Sequence, residues 1–154
     1  MNAGTPASDA TDRTPSRVLA LDLGARRVGV AVSDRGGVMA FPRPALQRSG
    51  DPERDRKVIV ELVTETEAST VVVGLPLSLD GQERDMARAA REEAGELDRL
   101  LSGSGVTVTT WDERFTTVSA EHALRASTKS PRERRAAVDS AAATVLLQSW
   151  LDRR

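Results

Sequence analysis

Three acidic residues occupy positions where folding alone does not call for a carboxylate. Asp22 directly follows the apolar run Val18–Leu21, which predicts a β-strand buried on both faces. Glu113 follows the fifth predicted strand, and Asp139 opens the predicted final helix. A buried, unpaired carboxylate is costly, so Asp22 needs a cation or hydrogen-bond donors as partners. We therefore ask whether these three side chains meet.

The predicted topology brings them to one place. The strands before Asp22 and Glu113 should run parallel in one sheet, so both side chains reach its carboxyl edge, where α/β sheets bind ligands. Asp139 shares a helical face with two small residues and a leucine, which lets the helix approach the sheet closely; these residues are Ala142, Ala143 and Leu146. Three convergent carboxylates bind hard cations such as Mg²⁺, singly or as a pair, and such ions support phosphodiester hydrolysis.

Each acidic residue also has a simpler interpretation. Asp22 precedes Gly24 and suits a turn, Glu113 is next to Arg114 and suits a surface ion pair, and Asp139 suits a helix N-cap. The neighbouring Asp112 should point to the opposite face of its strand, which indicates a structural role. The convergence of all three, rather than any one residue, predicts the site.

Composition restricts the alternatives. The chain has 154 residues, no cysteine and one histidine, His122. These counts exclude disulfides, thiolate zinc sites and a cysteine nucleophile, and they argue against a serine–histidine triad. The net charge of −1 does not indicate a general nucleic-acid binder. A stretch with six cations and two anions, residues 114–137, can still contact phosphates.

The elements that must position these residues predict a single domain. We expect a disordered tail over residues 1–16, no membrane span, and one nuclease domain over residues 17–154. The chain pattern predicts strands, then alternating helices and strands, then helices. In chain order the predicted elements are strands Val18–Leu23, Arg27–Ser33 and Val38–Leu46, a helix after Asp51, a strand Thr70–Gly74, a loop Leu75–Gly81, a helix Gln82–Ser102, a strand Val106–Trp111, a helix Thr117–Ala126, a loop Ser127–Ala137 and a helix Val138–Leu151. The fold class is α/β with a five-stranded mixed sheet. Its first three strands form an antiparallel meander, and its last two run parallel to the first.

Two of the helices carry predicted apolar stripes. In the helix after Asp51 the stripe is Val58, Ile59, Leu62 and Val63. In the next helix it is Met86, Ala90, Ala94, Leu97 and Leu101. Both stripes should face the sheet.

Four stretches together resemble the YqgF/RuvX family of ribonuclease H-like proteins. They are Leu21–Asp34, Val72–Gly81, Asp112–Thr117 and Val138–Ala143. The resemblance implies an RNase H-like fold and a nuclease whose acidic residues are Asp22, Glu113 and Asp139. One departure is that many members carry lysine just before the final motif, where this chain has Ala136 and Ala137; neighbouring arginines can supply that charge.

The resemblance supports two activities. The first is processing of the 5′ end of precursor 16S rRNA by a cytoplasmic, Mg²⁺- or Mn²⁺-dependent endonuclease, with ribosomal particles as further partners. Asp22, Glu113 and Asp139 hold the metal, and four cations hold the phosphate backbone: Arg26, Arg114, Arg134 and Arg135. The second is resolution of four-way DNA junctions, which needs a symmetric dimer. A monomer or weak homodimer fits the sequence.

Two other classes of protein share parts of this pattern. A non-catalytic RNA-binding assembly factor would keep the fold, but it would be favoured by loss of an acidic residue, and none is lost. An actin-like ATPase would need a second domain, for which the chain has no room. With two Phe, two Trp and no Tyr, recognition by stacked bases is not expected.

Overall fold

A five-stranded mixed sheet forms the centre of the molecule, for which the computed structural model describes residues 16–77, 84–115 and 130–154. The strands are β1 (Arg17–Leu23), β2 (Arg27–Ser33), β3 (Ala40–Gln47), β4 (Ala68–Leu75) and β5 (Thr107–Asp112). Their order is β3-β2-β1-β4-β5. The first three pair antiparallel, while β4 and β5 run parallel to β1. The predicted fold class and the central place of β1 are confirmed.

The apolar run of β1 explains its central position. Val18 to Leu21 are at most 2% exposed, because helices cover both faces of the sheet. Leu19 and Leu21 pack on one face, and Val18 and Ala20 pack on the other. Since alternate residues share a face, Asp22 lies on the side of Val18 and Ala20.

Four helices flank the sheet in the described part of the chain. They are α1 (Pro52–Thr66), α2 (Asp85–Leu100), α3 (Pro131–Asp139) and α4 (Ala141–Arg153). The predicted start of α1 is confirmed, since Asp51 accepts the backbone N–H of Glu53 at 3.1 Å and Pro52 opens the helix. A short 3₁₀ turn, Glu113–Phe115, follows β5. No described helix combines the length and apolar character that crossing a bilayer requires.

The helical stripes needed two corrections. Val58 is 40% exposed and Met86 is 59% exposed, so neither belongs to the core. In α2 the stripe begins at Ala87, whose small side chain is fully buried and lets the start of the helix approach the sheet. The other predicted members of both stripes are buried, namely Ile59, Leu62, Val63, Ala90, Ala94, Leu97 and Leu101.

The C-terminal prediction was wrong in a way that matters for the site. Residues 131–137, predicted as part of a loop, form most of α3. Ser130 caps this helix by accepting the N–H of Glu133 at 3.1 Å, and Pro131 starts the helix rather than interrupting one. Asp139 therefore ends α3 instead of opening the last helix, and α4 begins two residues later.

A buried serine fixes the junction between α3 and α4. The pairing of β2 with β3 is irregular beside Val30, which is opposite Arg43. The Ser140 hydroxyl lies between these two residues: it accepts the Val30 N–H at 3.0 Å and donates to the Arg43 carbonyl at 2.6 Å. Ser140 is 1% exposed, so both bonds are shielded from water. Ser140, the residue after Asp139, is therefore hydrogen-bonded to both β2 and β3.

Replacing Ser140 by alanine should lower the free energy of unfolding by about 2 kcal/mol. The substitution leaves the Val30 N–H and the Arg43 carbonyl without this buried partner, and each such loss costs about 1–3 kcal/mol before relaxation. Urea unfolding followed by circular dichroism measures the change. Ser102→Ala, at an exposed serine after α2, is the matched control. Equal stability of the two variants would contradict the role of the Ser140 hydroxyl.

Several predictions lie outside the described residues. These are the tail before Ser16, the loop beyond Leu77, the helix Thr117–Ala126, and the positions of His122, Arg125 and Lys129. The single-domain assignment for residues 17–154 stays a prediction.

Candidate active site

Two of the three predicted carboxylates meet at the carboxyl edge of the sheet. Asp22 lies near the end of β1, and Glu113 begins the 3₁₀ turn after β5. Their half-buried side chains are joined by a hydrogen bond. β4 runs between the two strands, so the Glu113 side chain must cross over β4 to reach Asp22.

Gly74 makes this crossing possible. A Cβ atom on Gly74 would lie 2.6 Å from Glu113 Oε2 and 3.1 Å from Leu146 Cδ2 of α4. Any side chain here would occupy the space taken by the Glu113 carboxyl group. A glycine at the end of a β-branched run is a sequence signal for close approach, and here it marks the place where Glu113 crosses β4.

The strand before Glu113 is held against α4. Trp111 lies beside Gly74 in the β4–β5 pairing, and its indole N–H donates to Ser149 Oγ at 3.1 Å. This contact joins β5 to α4 and limits movement of the residue that supports Glu113.

The environment disfavours two negative charges on this pair. Burial raises the pKa of Glu113 to about 7, with further contributions from the Asp22 charge and the Asp22 hydrogen bond. Burial also raises the pKa of Asp22, while the hydrogen bond with Glu113 lowers it in part. A divalent cation would relieve this repulsion, so the pair fits such an ion on its own chemistry.

Asp139 approaches the pair from α3. An ideal Cβ on Gly29 would lie 3.5 Å from each of three atoms: Asp22 Cβ, the Asp139 carbonyl oxygen and Ala143 Cβ. The α3–α4 junction therefore packs over Gly29, directly beside Asp22, as the small residue Ala143 predicted. Ala142 is exposed instead, because the break at Ser140 changes the helical register relative to Asp139.

The Asp139 carboxylate is directed to a cation that sequence reasoning missed. Arg27 Nη1 lies 3.5 Å from Asp139 Oδ1, in a largely exposed ion pair. Within residues 16–77, 84–115 and 130–154, no three His, Cys, Asp or Glu side chains are grouped closely enough to hold a metal ion. The role of Asp139 as a third ligand stays a prediction.

The predicted phosphate-binding arginines differ in their surroundings. Arg26 is exposed in the β1–β2 turn, and Arg134 and Arg135 are exposed on α3. Arg114 is held by the Asp112 carboxylate. The Nε–H and the backbone N–H of Arg114 each donate a hydrogen bond of 2.9 Å to it. The side-chain hydrogen bond from Arg114 is the main reason that the pKa of Asp112 is low, which supports the structural role predicted for Asp112.

The raised pKa values make the stability of the metal-free protein depend on pH. Because the folded state binds the Glu113 proton more tightly than the unfolded state, the free energy of unfolding should fall as pH rises from about 4.5 to about 7. After allowance for partial exposure, we expect a loss of about 1 kcal/mol. Glu113→Gln should remove this loss.

Urea unfolding in EDTA at several pH values measures the effect as the difference between wild type and Glu113→Gln. Glu61→Gln, at an exposed position on α1, is the control and should keep the wild-type pH dependence. A Glu113→Gln protein that loses as much stability as wild type over this window would contradict the assignment.

Solved structures with a similar fold define the fold class of the chain. RuvC of Thermus thermophilus in complex with a Holliday junction substrate superposes with a TM-score of 0.57 and 16% identity, covering 84% of this chain and 91% of RuvC. The yeast mitochondrial Holliday junction resolvase Ydc2 has a TM-score of 0.54 at 9% identity, covering 90% and 78%. At these identities the likeness shows the fold, which is the RNase H-like fold of the resolvases.

Sequence comparison identifies the family. The family model described as "RuvX: Holliday junction resolvase" matches residues 16–153. Relatives named "Putative pre-16S rRNA nuclease" are 41% identical over 138 residues in Desulforudis audaxviator and 45% identical over 139 residues in an Anaeromyxobacter species. These alignments cover 90% of this chain and 95% and 98% of the relatives. The chain belongs to the RuvX family, and it is a hydrolase of the nuclease class.

Proposed function

We propose that this protein is a metal-dependent endonuclease that processes the 5′ end of precursor 16S rRNA. The observation that carries the proposal is the Asp22–Glu113 carboxyl pair, packed over Gly74 at the carboxyl edge of the sheet. The names of the relatives support the RNA substrate, and the work would take place in the cytoplasm, on the precursor alone or within a ribosomal particle.

The acidic residues would hold Mg²⁺ or Mn²⁺. Asp22 and Glu113 supply the buried oxygen ligands, and Asp139 supplies a third after its carboxylate leaves Arg27. When bound, such an ion provides positive charge that activates water and offsets charge on the phosphate. Burial of the pair beneath α4 protects one side of the site from bulk water.

The arginines would hold the substrate. Arg26, Arg134 and Arg135 project from the β1–β2 turn and from α3, so they can contact phosphates on different sides of the cleaved bond. Arg114 would add a phosphate contact at the end of β5, where Asp112 limits the movement of its guanidinium.

The family description supports a second candidate, resolution of four-way DNA junctions. The deciding experiment incubates wild-type protein with Mg²⁺ or Mn²⁺ and either a precursor 16S 5′-leader RNA or a mobile four-way DNA junction. Metal-dependent RNA cleavage with an intact junction supports the proposal. Symmetric nicking of the junction instead assigns the resolvase activity, and RNA binding without any cleavage indicates an assembly factor.

A further inference from the structure

A groove lies at the same end of the sheet as the carboxyl pair, around the turn that follows β1. Leu23, which lines it, packs with Leu19 and Leu21, so the groove extends to the face of β1 opposite Asp22. The β1–β2 turn, residues 24–26, follows Asp22 almost directly and separates two cavities of about 280 and 550 Å³. Ala25 and Arg48 line both cavities, so the two adjoin each other around the turn and are together called the groove. The smaller cavity lies against α2, and the larger one reaches the start of α1 at Pro52.

The middle of the groove presents two cations. Arg26 and Arg48 are exposed side chains on neighbouring segments, since the Arg48 backbone N–H donates to the Arg26 carbonyl at 2.9 Å. Neither guanidinium forms a salt bridge with any residue in the described ranges. Arg26 lies in the turn that follows Asp22. The two exposed arginines therefore suit a phosphate backbone near the proposed cleavage site.

Two acidic residues also line the groove, and each has hydrogen-bond partners of its own. Glu93 accepts Arg56 Nε at 2.7 Å and Arg56 Nη2 at 3.1 Å. Asp55 accepts the Ser49 hydroxyl at 2.7 Å and the Ser49 backbone N–H at 3.0 Å. Asp55 attracts Arg48 without forming a salt bridge with it, so within the described ranges Arg26 and Arg48 keep their guanidinium N–H groups for an anionic ligand.

The end of the groove near α2 is apolar. Leu23, Met86 and Ala89 line the smaller cavity, and Met86 remains 59% exposed although its side chain is apolar. The cavity is at the lower limit of ordinary ligand pockets, about 300 Å³, which suits a fragment the size of one base. A base in a duplex is stacked and paired, so only an unpaired base can enter such a cavity.

We propose that this groove binds an unpaired segment of the RNA strand next to the cleaved bond. Arg26 and Arg48 contact successive phosphates, and the cavity beside Met86 accepts one base. This inference rests on the proposed function and extends it, since it makes the substrate single-stranded beside the cleavage site rather than fully paired.

Binding measured by fluorescence anisotropy tests the groove. The probes are a labelled single-stranded RNA of about ten nucleotides and an RNA hairpin duplex, with Asp22→Asn protein as the parent to prevent cleavage. Arg48→Ala should weaken single-strand binding about five- to tenfold and reduce the slope of log K against log salt by about 0.7. Met86→Ala should weaken it about threefold without changing the slope, because an uncharged contact is lost.

Arg99→Ala is the matched control, since Arg99 is an exposed arginine at the far end of α2. It should leave single-strand binding unchanged. The groove is overturned if Arg48→Ala binds single-stranded RNA as tightly as the parent, or if it loses the same affinity for the single strand and the hairpin. In either case, RNA cleavage by the wild-type protein would still support the proposed function. A parent that binds neither RNA, together with a wild type that cleaves none, overturns both.

Discussion

Replacing Asp22 by asparagine should reduce RNA cleavage at least about a hundredfold while leaving the protein folded. The amide keeps the shape of the side chain but removes the charge that holds a divalent cation. It also removes the negative charge that raises the pKa of Glu113, so the folded protein should be no less stable than wild type at pH 7.5. Single-turnover cleavage with Mg²⁺ or Mn²⁺ and urea unfolding measure the two effects.

The control for this variant is Asp98→Asn, at an exposed position on α2 away from the sheet edge. It should retain wild-type cleavage. If Asp22→Asn cleaves within a few-fold of wild type, Asp22 is not a metal ligand. If cleavage and stability fall together, the loss comes from misfolding instead.

Replacing Gly74 by alanine should reduce cleavage about ten- to a hundredfold, although the change adds only one uncharged methyl group. The new Cβ would be placed 2.6 Å from Glu113 Oε2, so the carboxyl group must move away from Asp22. It would also press on Leu146 at 3.1 Å, which should lower the free energy of unfolding by about 1–3 kcal/mol. The affinity for Mn²⁺, measured by calorimetry, should fall with the rate.

Gly95→Ala provides a matched substitution. Gly95 lies within α2, and an added Cβ there would meet no atom within 4 Å. This variant should keep full activity and gain up to about 1 kcal/mol of stability from the better helix propensity of alanine. Unchanged activity in both glycine variants would show that the position of Glu113 over β4 is unimportant.

Much of the fold was predictable because its signals are local. The apolar run Val18–Leu21 predicted a central strand, and Asp51-Pro52 predicted the start of a helix, since capping and burial patterns depend on neighbouring residues. The error at Pro131 arose because proline has opposite effects at different positions of a helix. Proline disrupts a helix interior but favours a first turn, and the Ser130 cap decides between them.

The site was only partly predictable, since it depends on contacts between distant residues. The parallel direction of the strands before Asp22 and Glu113 predicted that both lie at one sheet edge, and the structure brings their side chains into contact. The Arg27–Asp139 ion pair joins residues separated by 112 positions. No local pattern at either residue indicates that partner. The space above Gly74 likewise depends on where α4 packs.

The Ser140 bridge has a consequence for the order of folding. The hydroxyl joins the C-terminal helices to β2 across 110 residues, so this contact forms only after most of the chain has been synthesised. Asp139 directly precedes Ser140, so its backbone reaches Gly29 beside Asp22 only once the C-terminal helices dock on β2. A partly synthesised chain would lack this side of the site, so the nuclease would be complete only after those helices had docked.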